Sequence, residues 1–93
     1  MAYQEYFSTR FSRKYKKLSP QTIVLLHDAM DLILKKPSSG VEKTGDLSNL
    51  YIVKFKVGKL QWLLGYTFNS AKKKITWEAV GPHENFYRDL KKN

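Results

Sequence analysis

A chain of 93 residues suffices for one small domain, 1–93, with a single modest core and no room for a second lobe. It has no apolar run long enough to span a bilayer, no basic-then-apolar leader at Met1-Ala2-Tyr3-Gln4-Glu5-Tyr6 and no cysteine. These absences argue against a membrane span, secretion, disulfides, thiolate nucleophiles and cysteine-held zinc, and make the cytoplasm the expected compartment. Seventeen Lys and Arg against eight Asp and Glu leave a net charge of +9, which suits a polyanion or an acidic protein partner, nucleic acid first among them.

In chain order, Tyr3 to Phe7 alternate bulky and polar groups as a short strand does, and Ser8 is placed to cap a helix over Thr9–Leu18. In that helix Phe11, Tyr15 and Leu18 form an apolar stripe, while Arg10, Arg13, Lys14, Lys16 and Lys17 make the outer face basic. Ser19-Pro20 starts a second helix, with Ile23, Leu26, Met30, Ile33 and Leu34 at helical spacing, and Lys35-Lys36 before Pro37 end it. The pair reads as an αα-hairpin. Residues 38–49 are polar, rich in Gly and Ser, and without periodicity, a connection with room for a short extended piece.

Beyond it the period becomes two. Tyr51, Val53, Phe55 and Val57 point one way, and Ile52, Lys54 and Lys56 the other. Gly58-Lys59 turns the chain into Leu60–Phe68, and Asn69-Ser70-Ala71-Lys72 turns it again into Lys74–Gly81. The expected fold is α+β: an N-terminal strand, the αα-hairpin, an antiparallel three-strand meander completing a four-stranded sheet, and a short C-terminal helix.

Two clusters bear chemistry. Lys54 and Lys56 share one face of a strand, either as a solvated sheet face that is not core or as a rigid phosphate-binding surface; residues 47–77 hold six lysines and no acid. On the last helix His83 and Tyr87 are one turn apart, beside Phe86 and Leu90. That spacing fits plain docking of an amphipathic helix, with Phe86 and Leu90 as anchors and the polar tips of His83 and Tyr87 at the rim. It equally sets an imidazole next to a phenol. Cleaving RNA needs a base for the 2′-hydroxyl, cations for the charge developing at phosphorus and an acid for the 5′-oxygen, roles open to His, Tyr and Lys. His27 and Asp31 are also one turn apart, but no third ligand is evident, so neither a metal nor another cofactor is expected. Trp62 and Trp77 suit either core or a partner-binding surface.

The order of elements, the Phe11-x-x-x-Tyr15-x-x-Leu18 stripe and the ending Gly81-Pro82-His83-Glu84-Asn85-Phe86-Tyr87-Arg88-Asp89-Leu90 resemble the RelE/ParE superfamily of bacterial toxin–antitoxin toxins over nearly the whole chain. The resemblance implies one of two activities. RelE- and YafQ-like members are mRNA interferases, endoribonucleases that cut mRNA in the ribosomal A site without a metal; ParE-like members poison DNA gyrase and are not nucleases. A non-catalytic RNA-binding domain is a third class. In the nuclease branch, Lys54 and Lys56 match the basic strand residues, while His83 and Tyr87 match the His or Arg and the aromatic of the last helix. Lys59, Arg88 and Lys91 would add to phosphate binding. Many RelE-like nucleases also carry an arginine on the third sheet strand, near Gln61-Trp62-Leu63 here, where this chain has no cation; Lys59 or Arg88 would have to stand in for it. Both branches imply a cognate antitoxin, acidic in its toxin-binding segment. The remaining partners are the ribosome and mRNA in one branch and gyrase in the other.

Overall fold

The computed structural model describes residues 3–43 and 49–92, with side chains through Arg88. The elements are β1 (Gln4–Phe7), α1 (Thr9–Tyr15), α2 (Pro20–Lys35), a 3-10 turn (Pro37–Ser39), β2 (Val41–Glu42), β3 (Tyr51–Val57), β4 (Leu60–Asn69), β5 (Lys74–Pro82) and α3 (His83–Lys92). The α+β class stands, but the sheet has five strands rather than four, in the order β1-β5-β4-β3-β2. The additional strand is the two-residue β2, which lies in the polar connection and is too short to leave a periodic signal. Strands β2 to β5 are antiparallel neighbours, whereas β1 joins β5 in parallel, Gln4 opposite Lys74 and Phe7 opposite Trp77.

Serine hydroxyls start both N-terminal helices. Ser8 Oγ accepts from Phe11 N at 3.0 Å, and Ser19 Oγ accepts from Thr22 N at 3.2 Å with Pro20 in the first turn. The first helix ends at Tyr15, short of the expected Leu18, because the Lys17 and Leu18 amides turn back to the Lys14 and Tyr15 carbonyls at i−3. Leu18 still packs on the core. On α2 the buried stripe runs through Thr22, Leu26, Ala29, Met30 and Ile33.

These side chains meet Leu64, Tyr66, Ile75, Trp77 and Val80 on one face of the sheet, flanked by Tyr51, Val53, Phe55, Trp62 and Phe68. The alternation in β3 and β4 therefore points as expected. Trp77 is fully buried and donates its indole N–H to Glu5 at 2.9 Å; Trp62 is half-buried against Phe55. Tyr66, also fully buried, donates to the Pro37 carbonyl at 2.6 Å and accepts from Gly40 N at 3.1 Å, which ties the exit of α2 to the sheet.

The opposite face was expected not to be core, and half of it is. Leu50, Ile52, Leu63, Ala79 and Phe86 form a second buried cluster there because α3 lies across that face. Phe86 reaches the sheet where Gly65 has no side chain: a Cβ at Gly65 would come 2.9 Å from the end of the Phe86 ring. Leu90, the other expected anchor, lies outside the residues whose side chains are described. A bulge beside Gly65 and Tyr66 keeps Trp77 and Val80 on the same face although they are three residues apart.

Candidate functional site

Among the described residues, α3 covers the Leu50–Ile52 end of its sheet face and leaves the other end open. Lys54 and Lys56 are exposed there. Lys54, Leu63 and Gly81 form one row across β3, β4 and β5, and Lys56 opposite Gln61 begins the next. Trp62 is paired with Pro82, so Gln61 stands between Lys56 and the start of α3 at His83. Two strand spacings, about 10 Å, separate the ends of such a row, within reach of a long side chain and an extended phosphate chain.

His83 is exposed, and its ring stands edge-on to Tyr87 with centroids 6.4 Å apart. Tyr87 is half-buried against the second core, perpendicular to Phe86, and Lys43 Nζ lies 5.3 Å from its ring centroid. The ring is thus oriented from two sides, and Lys43 is a contributor that spacing along the chain could not reveal. Arg88 donates to Asn85 Oδ1 at 2.6 Å on the outer side of α3. Lys59 is exposed in the β3–β4 turn, where Gly58 has φ +61°, one step beyond Lys56 at the same end of the sheet. The side chain of Lys91 lies outside those described.

A second group of cations borders the same face. Strand β1 pairs with β5 only at residues 74–77, so the edge of β5 from Glu78 onward is taken by α1 instead. Ser8 fastens this junction: its hydroxyl donates to the Glu78 carbonyl at 2.6 Å and its N–H donates to the Trp77 carbonyl at 3.0 Å. Arg10, Arg13, Lys14 and Lys17 then line a cleft of about 580 Å³ floored by Ala79, Val80 and Phe86. Lys14 Cε lies 3.8 Å from where a Cβ on Gly81 would be, in the row of Lys54. The i, i+3, i+4, i+7 spacing of these residues announces a basic helix face. Only the docking of α1 on β5 shows that it faces the site.

The helix-covered side carries a different cleft, of about 540 Å³, lined by Phe7, Phe11, Tyr15, Met30 and Leu34 with Glu5 and Asp31 among its polar members. His27 belongs here, far in sequence from His83, and its Nε2 lies 2.7 Å from the Tyr15 hydroxyl, linking α2 to α1. Phe7 at the mouth is 53% exposed, so the cleft is an open apolar surface.

The small α+β domain thus has a two-helix layer on one sheet face and a last helix beside exposed lysines on the other. The chain belongs to the ParE-like toxins of type II bacterial toxin–antitoxin systems, whose family model matches residues 6–91. Among solved structures it is similar to RelE in the intact E. coli RelBE toxin–antitoxin complex, with 22% identity, TM-score 0.69, and 86% of this chain and 95% of that chain covered. It is similar also to a mutant E. coli RelE in complex with an antitoxin RelBc peptide, with 22% identity, TM-score 0.71, and 97% and 95% covered. The isolated E. coli RelE toxin gives 21% identity, TM-score 0.69, and 98% and 97% covered. No curated protein matches the sequence.

Proposed function

We propose that this toxin arrests translation as a ribosome-dependent mRNA interferase. The observation that carries this reading is the placement of exposed Lys54 and Lys56 in successive rows of one sheet face, with His83 across Gln61 and the α1 cations alongside. An RNA strand laid along this face meets cations on both sides of an exposed imidazole. In the reaction the 2′-oxygen bonds to phosphorus as the bond to the 5′-oxygen breaks, leaving a 2′,3′-cyclic phosphate and a 5′-hydroxyl. A base takes the 2′-hydroxyl proton and an acid supplies one to the 5′-oxygen. Lys54 and Lys56 hold the phosphate and stabilise its developing charge, His83 serves as acid or base, and Tyr87, steadied by Lys43, stacks on a base. Lys59, Arg88 and Lys91 extend the phosphate-binding surface.

A cognate antitoxin restrains the toxin. Support comes from E. coli RelE, which shares the fold and is solved with its antitoxin, and from the open apolar cleft of Phe7, Phe11, Tyr15, Met30 and Leu34. An antitoxin segment that is both apolar and acidic would fill the cleft and offset the +9 charge. A second reading, gyrase poisoning, is favoured by the ParE-like family match and by Gln61, a neutral residue between Lys56 and His83.

Induction without antitoxin, followed by mapping of mRNA ends on ribosomes, separates the readings. New ends that vanish in His83→Ala are expected. Intact transcripts accompanied by gyrase-linked DNA breaks would select the gyrase poison, and growth arrest indifferent to substitutions at Lys54, Lys56 and His83 would select a non-catalytic RNA-binding domain.

A further inference from the structure

The geometry points to a second RNA-binding surface, separate from the candidate site, formed by Lys72, Lys73 and Lys74 at the β4–β5 turn together with Tyr6. It rests on the reading of this chain as an RNA-directed toxin. Ile75 and Trp77 face the α2 layer, so Lys74 and its neighbour Thr76 face the α3 side; Tyr6, opposite Thr76, faces it too. This part of the face lies beyond the rows that Phe86 covers. Six residue steps along β4, from Leu63 to Asn69, separate the Lys54 row from the Lys74 row, about 20 Å.

Three observations single out the patch. First, Lys73 has φ +54°, a conformation that suits Gly or Asn and costs a lysine, while Asn69 Oδ1 holds the turn by accepting from Lys72 N at 3.1 Å. The fold alone gives no reason for a lysine there. Second, Lys74 Nζ stands 5.6 Å from the centre of the Tyr6 ring on this face, while Lys73 Nζ stands 5.3 Å from the ring of Tyr3, which packs beside Phe68 at the α2 side of the turn, so among the described residues these ammonium groups rest on rings. Third, the acids of β1 and β5 are engaged with other groups: Glu5 receives the Trp77 indole N–H, and Glu78 accepts from Thr67 Oγ1 at 3.0 Å. Tyr6 is 41% exposed. Adjacent cations and an accessible ring are what a single strand uses, phosphates on the lysines and a base on the tyrosine. A patch of lysines alone would suit any anion; the exposed Tyr6 ring beside them favours RNA over a lipid surface.

The test is fluorescence anisotropy of a labelled single-stranded RNA titrated with the full-length His83→Ala chain, so that the RNA survives, over a series of salt concentrations. K72Q/K73N/K74Q is compared with its parent; asparagine at 73 keeps the positive φ, and an unchanged thermal midpoint confirms the fold. The slope of log affinity against log salt should fall by about 2, from ~0.7 for each lost phosphate contact on single strands. Tyr6→Leu should weaken binding about tenfold through lost stacking. K54Q/K56Q should weaken binding independently of the turn variant. An unchanged affinity and slope in the turn variant would overturn the second surface. If K54Q/K56Q still weakened binding, the site reading would survive alone; if neither variant moved it, or the His83→Ala parent bound no RNA, both would fall. Loss of binding to phosphatidylserine vesicles with RNA affinity intact would overturn it in favour of a membrane surface.

Discussion

The ring of Phe86 rests on the bare backbone of Gly65, and that contact seats α3 on the sheet. The ring is 2% exposed, and its far end is what an added Cβ at Gly65 would meet. Gly65→Ala is expected to destabilise the fold by about 1–3 kcal/mol through overpacking, and Phe86→Ala by about 3–5 kcal/mol through the cavity it leaves. Urea unfolding of both variants checks this. Gly65→Ala should also displace His83, so loss of toxicity in a variant that remains folded is the accompanying expectation.

Ser8 combines two duties in one hydroxyl, capping α1 and holding it to β5 through Glu78. Ser8→Ala should cost about 1–2 kcal/mol, and more than the analogous Ser19→Ala, whose hydroxyl makes contacts only within its own first turn. Parallel thermal melts would show the order. If Ser19→Ala proved the more damaging, the tie between α1 and β5 would not matter as argued.

Burial raises the phenol of Tyr66; the Gly40 N–H works against this, and nearby Tyr51 adds to the rise. A folded-state value above the unfolded one means that the folded chain holds this proton more tightly. The stabilisation is therefore whole below the usual phenol value of about 10 and disappears as pH climbs through the raised one. Tyr66→Phe should cost about 1–3 kcal/mol at neutral pH by leaving Pro37 O and Gly40 N short of a partner. The gap between wild type and variant should narrow above about pH 10. Denaturant midpoints from pH 7 to 11 measure it; a gap of constant size would contradict the assignment.

Arg13, Lys14 and Lys17 border the candidate site from a helix rather than from the sheet. Replacing Lys14 and Lys17 by glutamine should leave stability nearly unchanged and lower the salt dependence of RNA binding by up to about 1.4, on the basis of ~0.7 per phosphate contact. Wild-type salt dependence in this variant would remove α1 from the interface.

Local rules reached much of this fold. Ser8 and Ser19-Pro20 mark helix starts because a cap is a contact between near neighbours, and the alternation in β3 and β4 sorts side chains because the pleat is itself local. What escaped depends on distant partners. Whether Ile52 is core while Lys54 is exposed follows from where α3 lands, and that is decided by the missing side chain at Gly65, thirteen residues away from Ile52 in sequence. The cations of α1 were visible as a basic face, but their direction follows from β1 stopping short of the far end of β5. Lys43 meets Tyr87 only in space. Among the candidate residues, Lys54 and Lys56 are exposed on one face of β3 as their spacing suggested, and His83 is exposed at the start of α3; Tyr87 serves the second core as well.

The parallel pairing of β1 with β5 also sets a schedule for synthesis. Glu5 and Trp77, Ser8 and Glu78 meet across separations of 72 and 70 residues. While the chain is being made, β1 therefore has no partner, and α1 no edge to rest on, until β5 has left the ribosome. Nascent chains shorter than this hold their cations on an undocked helix and lack His83 altogether. The assembled site therefore does not exist on a growing chain until β5 and His83 have both been made and released.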